Sequence, residues 1–326
     1  MTLVIAGRDK YLAKASFPWS SDNVEETKIN IQQDNGIFVV ADSAISSTDS
    51  KNRLILNGFR KIYPIDIKLW QPYFIREYFK EYANVYYETE CFVAVAGRTL
   101  TIQHVLNSIT GHLSKLRISY IYNKKNDSGE YTMLLHCDKK NPLFEDWEWD
   151  EEMFVPEIHY ADVYDASKIL DFIEYSINIA IKNAKKNKLD KNEFNELLSE
   201  YIVGIYCNKT KKHLLTTFKI KPKRDDNTGI IEPFVDRKDI EEGNLAVIGM
   251  SKIFELKANQ LYQNLLSDND PKISKKMFEF LNNAIEEING KGSKEIYFPS
   301  VYCCLDKNVF KKQVVYNPNK SGFSLK

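Results

Sequence analysis

GIFVVADSAISSTDSKNRLILNGFRKIYPID, residues 36–66, carries the decisive pattern. Ile37-Phe38-Val39-Val40-Ala41 is an unbroken run of β-branched, aromatic and small apolar residues. Such a run reads as a buried strand. It ends on Asp42, and small residues follow: Ser43, Ala44, Ser46 and Ser47. A second apolar stretch, Ile62 to Ile65, comes straight after the basic pair Arg60-Lys61. One carboxylate therefore closes a core strand, and one lysine opens the next. The plain alternative is a surface ion pair.

The N-terminus changes the weighing. Met1-Thr2-Leu3-Val4-Ile5-Ala6-Gly7 is another short apolar strand with threonine at position 2. Removal of Met1 before so small a residue would expose a free α-amine on Thr2. A threonine hydroxyl beside its own amine holds nucleophile and base within one residue.

Taken in order, Thr2 on a first strand, "ADSAIS" after a second, "FRKIYPI" opening a third, "VAVAGRT" at 93–99 and "AVIGMSKIF" at 246–254 resemble the N-terminal-nucleophile hydrolases of the proteasome β-subunit and HslV group. The resemblance implies a mixed α/β (α+β) fold: a four-layer αββα sandwich of two mostly antiparallel sheets flanked by helices. It implies one such domain over residues 1–326, with insertions at about 8–35 and 119–162. The activity it implies is cleavage of peptide or other amide bonds by Thr2 after loss of Met1. Asp42 would pair with Lys61, Lys61 would stand beside the threonine hydroxyl, and the Gly97 N–H would donate to the developing oxyanion. Ser46 falls where the family pairs its backbone with an extended peptide. Ile45, Phe59, Tyr63 and Val95 fall at pocket-lining positions and imply preference for an apolar side chain.

Two departures from the family stand out. Gly249-Met250-Ser251 replaces Gly-Ser-Gly, so the serine that supports the threonine falls at Met250, and Ser251 could substitute only if the turn shifts. The acidic residue that the family places before a later Ser-Gly turn is missing from Asn289-Gly-Lys-Gly-Ser293. These losses leave open a catalytically silent scaffold or binding subunit, and a small-molecule amidase of the same fold.

Working outward, residues 28–33 alternate as a strand, and the polar segment 8–27 reads as an insertion or an extended hairpin. Residues 68–90 carry eight widely scattered aromatics between Trp70 and Tyr87 and read as a short helix or loop packing on the core. After Gly97, apolar residues at 100, 102, 105, 106, 109, 113 and 116 keep helical spacing. Residues 117–137 alternate about Asp127-Ser128-Gly129, a hairpin signal. The acidic run 145–152 includes Trp147 and Trp149, a hint of a docking surface. Helices follow at 163–187 and 192–200, a strand pair at 201–207 and 213–220, a charged loop at 221–243, a strand at 245–248, helices at about 251–267 and 272–289, and strands at 294–305 and 308–316. Strand blocks between helix pairs suit sheets covered by helices.

Composition bounds the rest. The 326 residues are 43% hydrophobic and 28% charged, with 45 basic and 45 acidic side chains, so a core is affordable and nothing asks for nucleic acid or an anionic membrane. Five cysteines, mostly inside apolar runs, fit reduced thiols. The expected compartment is the cytoplasm, since the apolar start is too short for a signal peptide and no stretch is long enough to span a membrane. The five histidines are scattered and Cys303-Cys304 alternate across a strand, so neither metal nor cofactor is expected. The expected partners are a peptide or protein substrate, further copies of this chain in a homo-oligomer, and an unfoldase or activator of unknown kind.

Overall fold

The computed structural model describes residues 2–15, 29–46, 53–123, 128–145, 149, 151–187, 189–224 and 230–318. In chain order the strands and helices are β1 (Leu3–Ala15), β2 (Ile29–Ala41), β3 (Ile45–Ser46), β4 (Leu54–Leu56), β5 (Ile62–Ile75), β6 (Tyr78–Gly97), α1 (Thr99–Leu113), β7 (Leu116–Asn123), β8 (Ser128–Leu134), α2 (Pro156–His159), α3 (Ala166–Ala180), α4 (Lys182–Lys186), α5 (Lys191–Asn195), β9 (Ser199–Cys207), β10 (Lys212–Arg224), β11 (Ile231–Asp239), β12 (Ala246–Gly249), α6 (Ser251–Ser267), α7 (Ile273–Gly290), β13 (Ser300–Asp306) and β14 (Val309–Tyr316). The chain divides into two compact units, Met1–Ile62 with Ile240–Lys326, and Tyr63–Asp239.

The first unit is a five-stranded sheet in the order β12-β1-β2-β13-β14, each neighbouring pair antiparallel. Alternation sets its two faces. Leu3, Ile5, Phe38 and Val40 point to one face and pack with Phe254, Ala258 and Tyr262 of α6 and with Met277, Leu281 and Ile285 of α7. Arg8 secures the first strand: its guanidinium donates to the carbonyls of Ile240 and Glu241, while the Tyr262 hydroxyl donates to the Arg8 carbonyl.

The second unit is a seven-stranded sheet in the order β11-β10-β9-β6-β5-β7-β8. Ile65, Ile67, Leu69, Val93, Val95 and Val203 pack with Ile102, Val105 and Ile109 of α1 and with Ile169, Leu170 and Ile173 of α3. α3 starts on Asp165, whose carboxylate accepts from Ser167 N at 2.8 Å, a side-chain cap for an otherwise orphaned donor. Each unit is thus a sheet with a helix pair on one face, the mixed α/β class that the order of strand and helix blocks implies.

Several segments differ from the sequence reading. At 8–27 the extended-hairpin reading holds over the described part, not the irregular insertion: residues 8–15 and 29–35 continue β1 and β2 as one long hairpin, with Val4 opposite Ala41 and Ala15 opposite Ile29; residues 16–28 lie outside the described residues. Residues 68–90 are strand, not helix: β5 and β6 run through them, and Phe74, Phe79, Tyr82, Tyr86 and Tyr87 pack on the second unit's core. The charged segment 221–243 is largely the β10–β11 pair. The helix expected at 192–200 ends at Asn195, and the strand expected from 294 begins at Ser300. Trp149 is no docking surface: it is buried, edge-on to Phe154, and its backbone N–H donates to the Glu77 carbonyl at 2.7 Å. Trp147 lies outside the described residues.

Gly36 shows how closely the first sheet is packed. Its φ is +94°, and a Cβ there would lie 2.0 Å from the Leu305 carbonyl oxygen. Gly36→Ala should therefore lower the unfolding free energy by ~2 kcal/mol or more, read from urea midpoints.

Candidate active site

Asp42 follows the last residue of β2, and Lys61 precedes the first residue of β5. Both are buried, at 1% and 5% exposure, so the surface-pair alternative does not hold. The Lys61 ammonium donates to both carboxylate oxygens, at 2.9 Å to Oδ1 and 2.8 Å to Oδ2. Each oxygen also accepts one backbone N–H: Oδ1 from Leu3 at 2.9 Å, Oδ2 from Ala44 at 2.9 Å. Two main-chain donors and a bidentate ammonium satisfy a carboxylate that could not otherwise be buried as an anion.

The bond from Leu3 N matters for position 2. It ties the Asp42 side chain to the amide that follows Thr2. Asp42 N donates in return to Leu3 O at 3.2 Å, and Met250 N donates to Thr2 O at 2.8 Å. Val4 lies opposite Ala41, and Leu3 opposite Gly249. Thr2 therefore sits, 8% exposed, where β1 begins and where β2 and β12 end.

Burial drives the Lys61 ammonium below the ordinary lysine range, although the contact with Asp42 opposes that shift. Desolvation disfavours the charged form, and the adjoining carboxylate recovers part of the loss. The site thus holds a cation that gives up its proton more readily than a solvated lysine.

The other expected residues fall as follows. Gly97 ends β6 with φ +125°, and a Cβ there would lie 2.2 Å from the Leu198 carbonyl oxygen, so only glycine fits. Val95 is buried in the second unit's core, and Tyr63 packs against that core. Ser251 is the first residue of α6; Met250 precedes it with its side chain buried in the first unit's core and caps nothing. Ile45 and Ser46 form β3, paired with β4, and the Ser46 hydroxyl donates to Glu295 O at 3.5 Å. Phe59 lines a cleft of about 430 Å³ with Ala41, Asp42, Ser43, Lys61, Pro299 and Val301. Ile45, Ser46 and Thr2 are not among its lining residues.

Sequence reading missed Ser43. Its hydroxyl donates to Pro299 O at 2.5 Å and accepts from Gly58 N at 3.2 Å, and its carbonyl accepts from Phe59 N at 3.0 Å. One serine thus joins the end of β2, the loop that carries Lys61 and the approach to β13. Its place directly after the strand-ending aspartate was the only available signal. Among the described residues, no group of three or more His, Cys, Asp or Glu is placed to hold a metal ion. No helix among them is long and apolar enough to cross a membrane.

No protein-family model matches the chain, and no curated protein matches it in sequence. Among solved structures it is similar to the Gly-1 mutant of Anbu, a proteasome-like protein, from Hyphomicrobium sp. strain MC1. The TM-score is 0.39 at 10% identity, over 96% of this chain and 85% of that one. The likeness is distant, and the functional reading below rests on the residues themselves.

The buried pair makes two predictions. Lys61→Ala should destabilise the protein by about 3 kcal/mol or more, because it strands an anion; Asp42→Leu with Lys61→Met should lose clearly less than the two single changes summed, by urea denaturation. The pH dependence follows from the lowered Lys61 value. Between the folded-state value and the ordinary one, the unfolded chain binds more protons, so this group's contribution to stability rises with pH across that window. Its penalty is full below the folded-state value. Stability of wild type relative to Lys61→Met should therefore increase as pH is raised from neutral towards the ordinary lysine range.

Proposed function

We propose that this chain is a proteasome-like hydrolase that cleaves peptide or other amide bonds with Thr2 once Met1 is removed. The observation that carries the reading is the buried Asp42–Lys61 pair, bonded through Leu3 N to the residue that follows the threonine.

The chemistry is short. The Thr2 hydroxyl oxygen attacks the substrate carbonyl carbon, and its proton passes to the free α-amine, directly or through a water. Lys61 stabilises the developing alkoxide by its charge and lowers the proton affinity of the neighbouring amine. Asp42 fixes the lysine's position. The Gly97 N–H is the oxyanion donor that the resemblance implies; one such donor contributes ~3 kcal/mol of barrier lowering. Collapse of the tetrahedral intermediate expels the amine, which takes the proton from the α-ammonium, and water then hydrolyses the acyl-threonine ester. The substrate is a peptide in the leading form of this reading and a small amide in its variant. The working form is an assembly of several copies.

One observation favours a silent binding subunit of the same kind. Met250 stands where a supporting serine is expected, and its side chain is committed to the core at 2% exposure.

Intact-mass measurement and a peptide panel decide between them. The hydrolase reading expects a mass without Met1, hydrolysis that falls to background in Thr2→Ala, and partial activity in Thr2→Ser. A Thr2→Ala protein as active as wild type overturns it. A retained Met1 with no turnover establishes the silent reading.

A further inference from the structure

Beyond the apolar side-chain preference already expected at Phe59, the cleft has a wall that none of the expected site residues supplies. It is formed by Pro299, Val301, Cys303, Phe310 and Val315 of the C-terminal hairpin, and it faces Asp42 and Lys61 within one space of about 430 Å³.

Register explains how that wall is built. Ala41, Val301 and Val315 stand opposite one another across β2, β13 and β14, so their side chains share a face. Cys303 lies two residues along β13 on the same face. Phe310 is opposite Leu305, which also shares it. Yet Phe310 and Val315 are five positions apart, an odd interval that puts side chains of a regular strand on opposite faces. A bulge reconciles them: Tyr302 pairs with Val314 but Cys303 pairs with Lys312, which leaves Gln313 as the extra residue. That single insertion turns Phe310 to the same side as Val315. Bulges recur beside active sites because they re-aim a side chain in this way.

The result is an apolar wall at the outer end of the sheet. Val301, Phe310 and Val315 are only half-buried, in contrast to the fully buried Val39 and Ala41 of β2. Half-exposed apolar side chains that converge on a concave space are what an apolar ligand group needs. The opposite side of the space holds the buried ion pair, so a group lodged here lies next to the charges that the hydrolase reading uses.

Resting on that reading, we infer that the C-terminal hairpin forms a substrate pocket for one large apolar side chain, aromatic or branched aliphatic, on the amide that is cleaved. Phe310 and Val315 form its outer wall, Val301 and Cys303 its floor, and Phe59 its opposite edge. The volume holds one such side chain with its backbone; of the two cations that line the space, Lys61 is engaged by Asp42, and Arg60 is exposed and donates to the Ile62 carbonyl.

The test uses full-length protein carrying Thr2→Ala, so that binding is read without turnover. N-acetyl-phenylalaninamide is titrated in and followed by methyl NMR on valine-labelled protein, with N-acetyl-glycinamide as control. The inference expects saturable shifts at Val301 and Val315, a loss of tenfold or more with Val301→Trp, which fills the space, and a smaller loss with Phe310→Ala. Phe310→Leu, which keeps an apolar wall and cannot unfold the hairpin by leaving a void, should bind within a fewfold of the parent. Equal binding of the glycine amide, or shifts confined to other valines, overturns the pocket. Turnover is scored separately in the Thr2-containing protein: an inactive protein that still binds the phenylalanine amide here sinks the hydrolase reading and leaves the pocket standing.

Discussion

A carboxylate and an ammonium out of water are tolerable only in each other's company, and the first unit is arranged to give them that company. Asp42 has four hydrogen bonds on its two oxygens, two from Lys61 and two from backbone amides. Those partners are Leu3 at the start of β1, Ala44 just after β2 and Lys61 just ahead of β5; Leu3 lies 39 positions before Asp42 and Lys61 lies 19 after it. Within the first unit, the pair therefore ties the start of β1 to the segment that follows β2. It also helps to place Thr2, because the next amide, Leu3 N, donates to Asp42 Oδ1, while the Thr2 carbonyl accepts from Met250 N.

This geometry links stability to chemistry. Burial pulls Lys61 towards neutrality while Asp42 holds it charged, and desolvation prevails. In the proposed hydrolase, a lysine in that balance would be the electrostatic partner of Thr2. It is also a stability liability that a purely structural design could avoid with an apolar pair. Ser43 extends the same arrangement outward by tying the Lys61 loop to the approach of β13, so that the apolar wall of the C-terminal hairpin and the charged pair share one cleft.

How much of this was legible in the sequence depended on whether the local signal survived. The unbroken runs at 37–41 and 91–96 announced buried strands because both faces of those strands are covered. The aromatic segment 68–90 did not announce itself. Its turn places Arg76 at φ +57°, a residue type that gives no turn signal, and its rings are divided between packed and exposed positions. The β10–β11 pair was hidden by Pro222 and Pro233, which stand opposite each other in the register. That arrangement is tolerated because β9 has already stopped pairing by then, with Lys219 opposite Glu200 as its last contact, and β11 is an edge strand.

The sequence by itself determined the mixed α/β class, the strand-ending aspartate, the strand-opening lysine and the threonine at position 2, since each is written in a local run of residue types. Only the tertiary structure decided that the two charges are buried against each other, that the aspartate reaches the amide after Thr2, and that Phe310 and Val315 face the same cleft. The physical reason is the same in each case. Burial, long-range hydrogen bonding and strand register arise from segments brought together in folding, and the bulge that aims Phe310 is defined only by the strand opposite it.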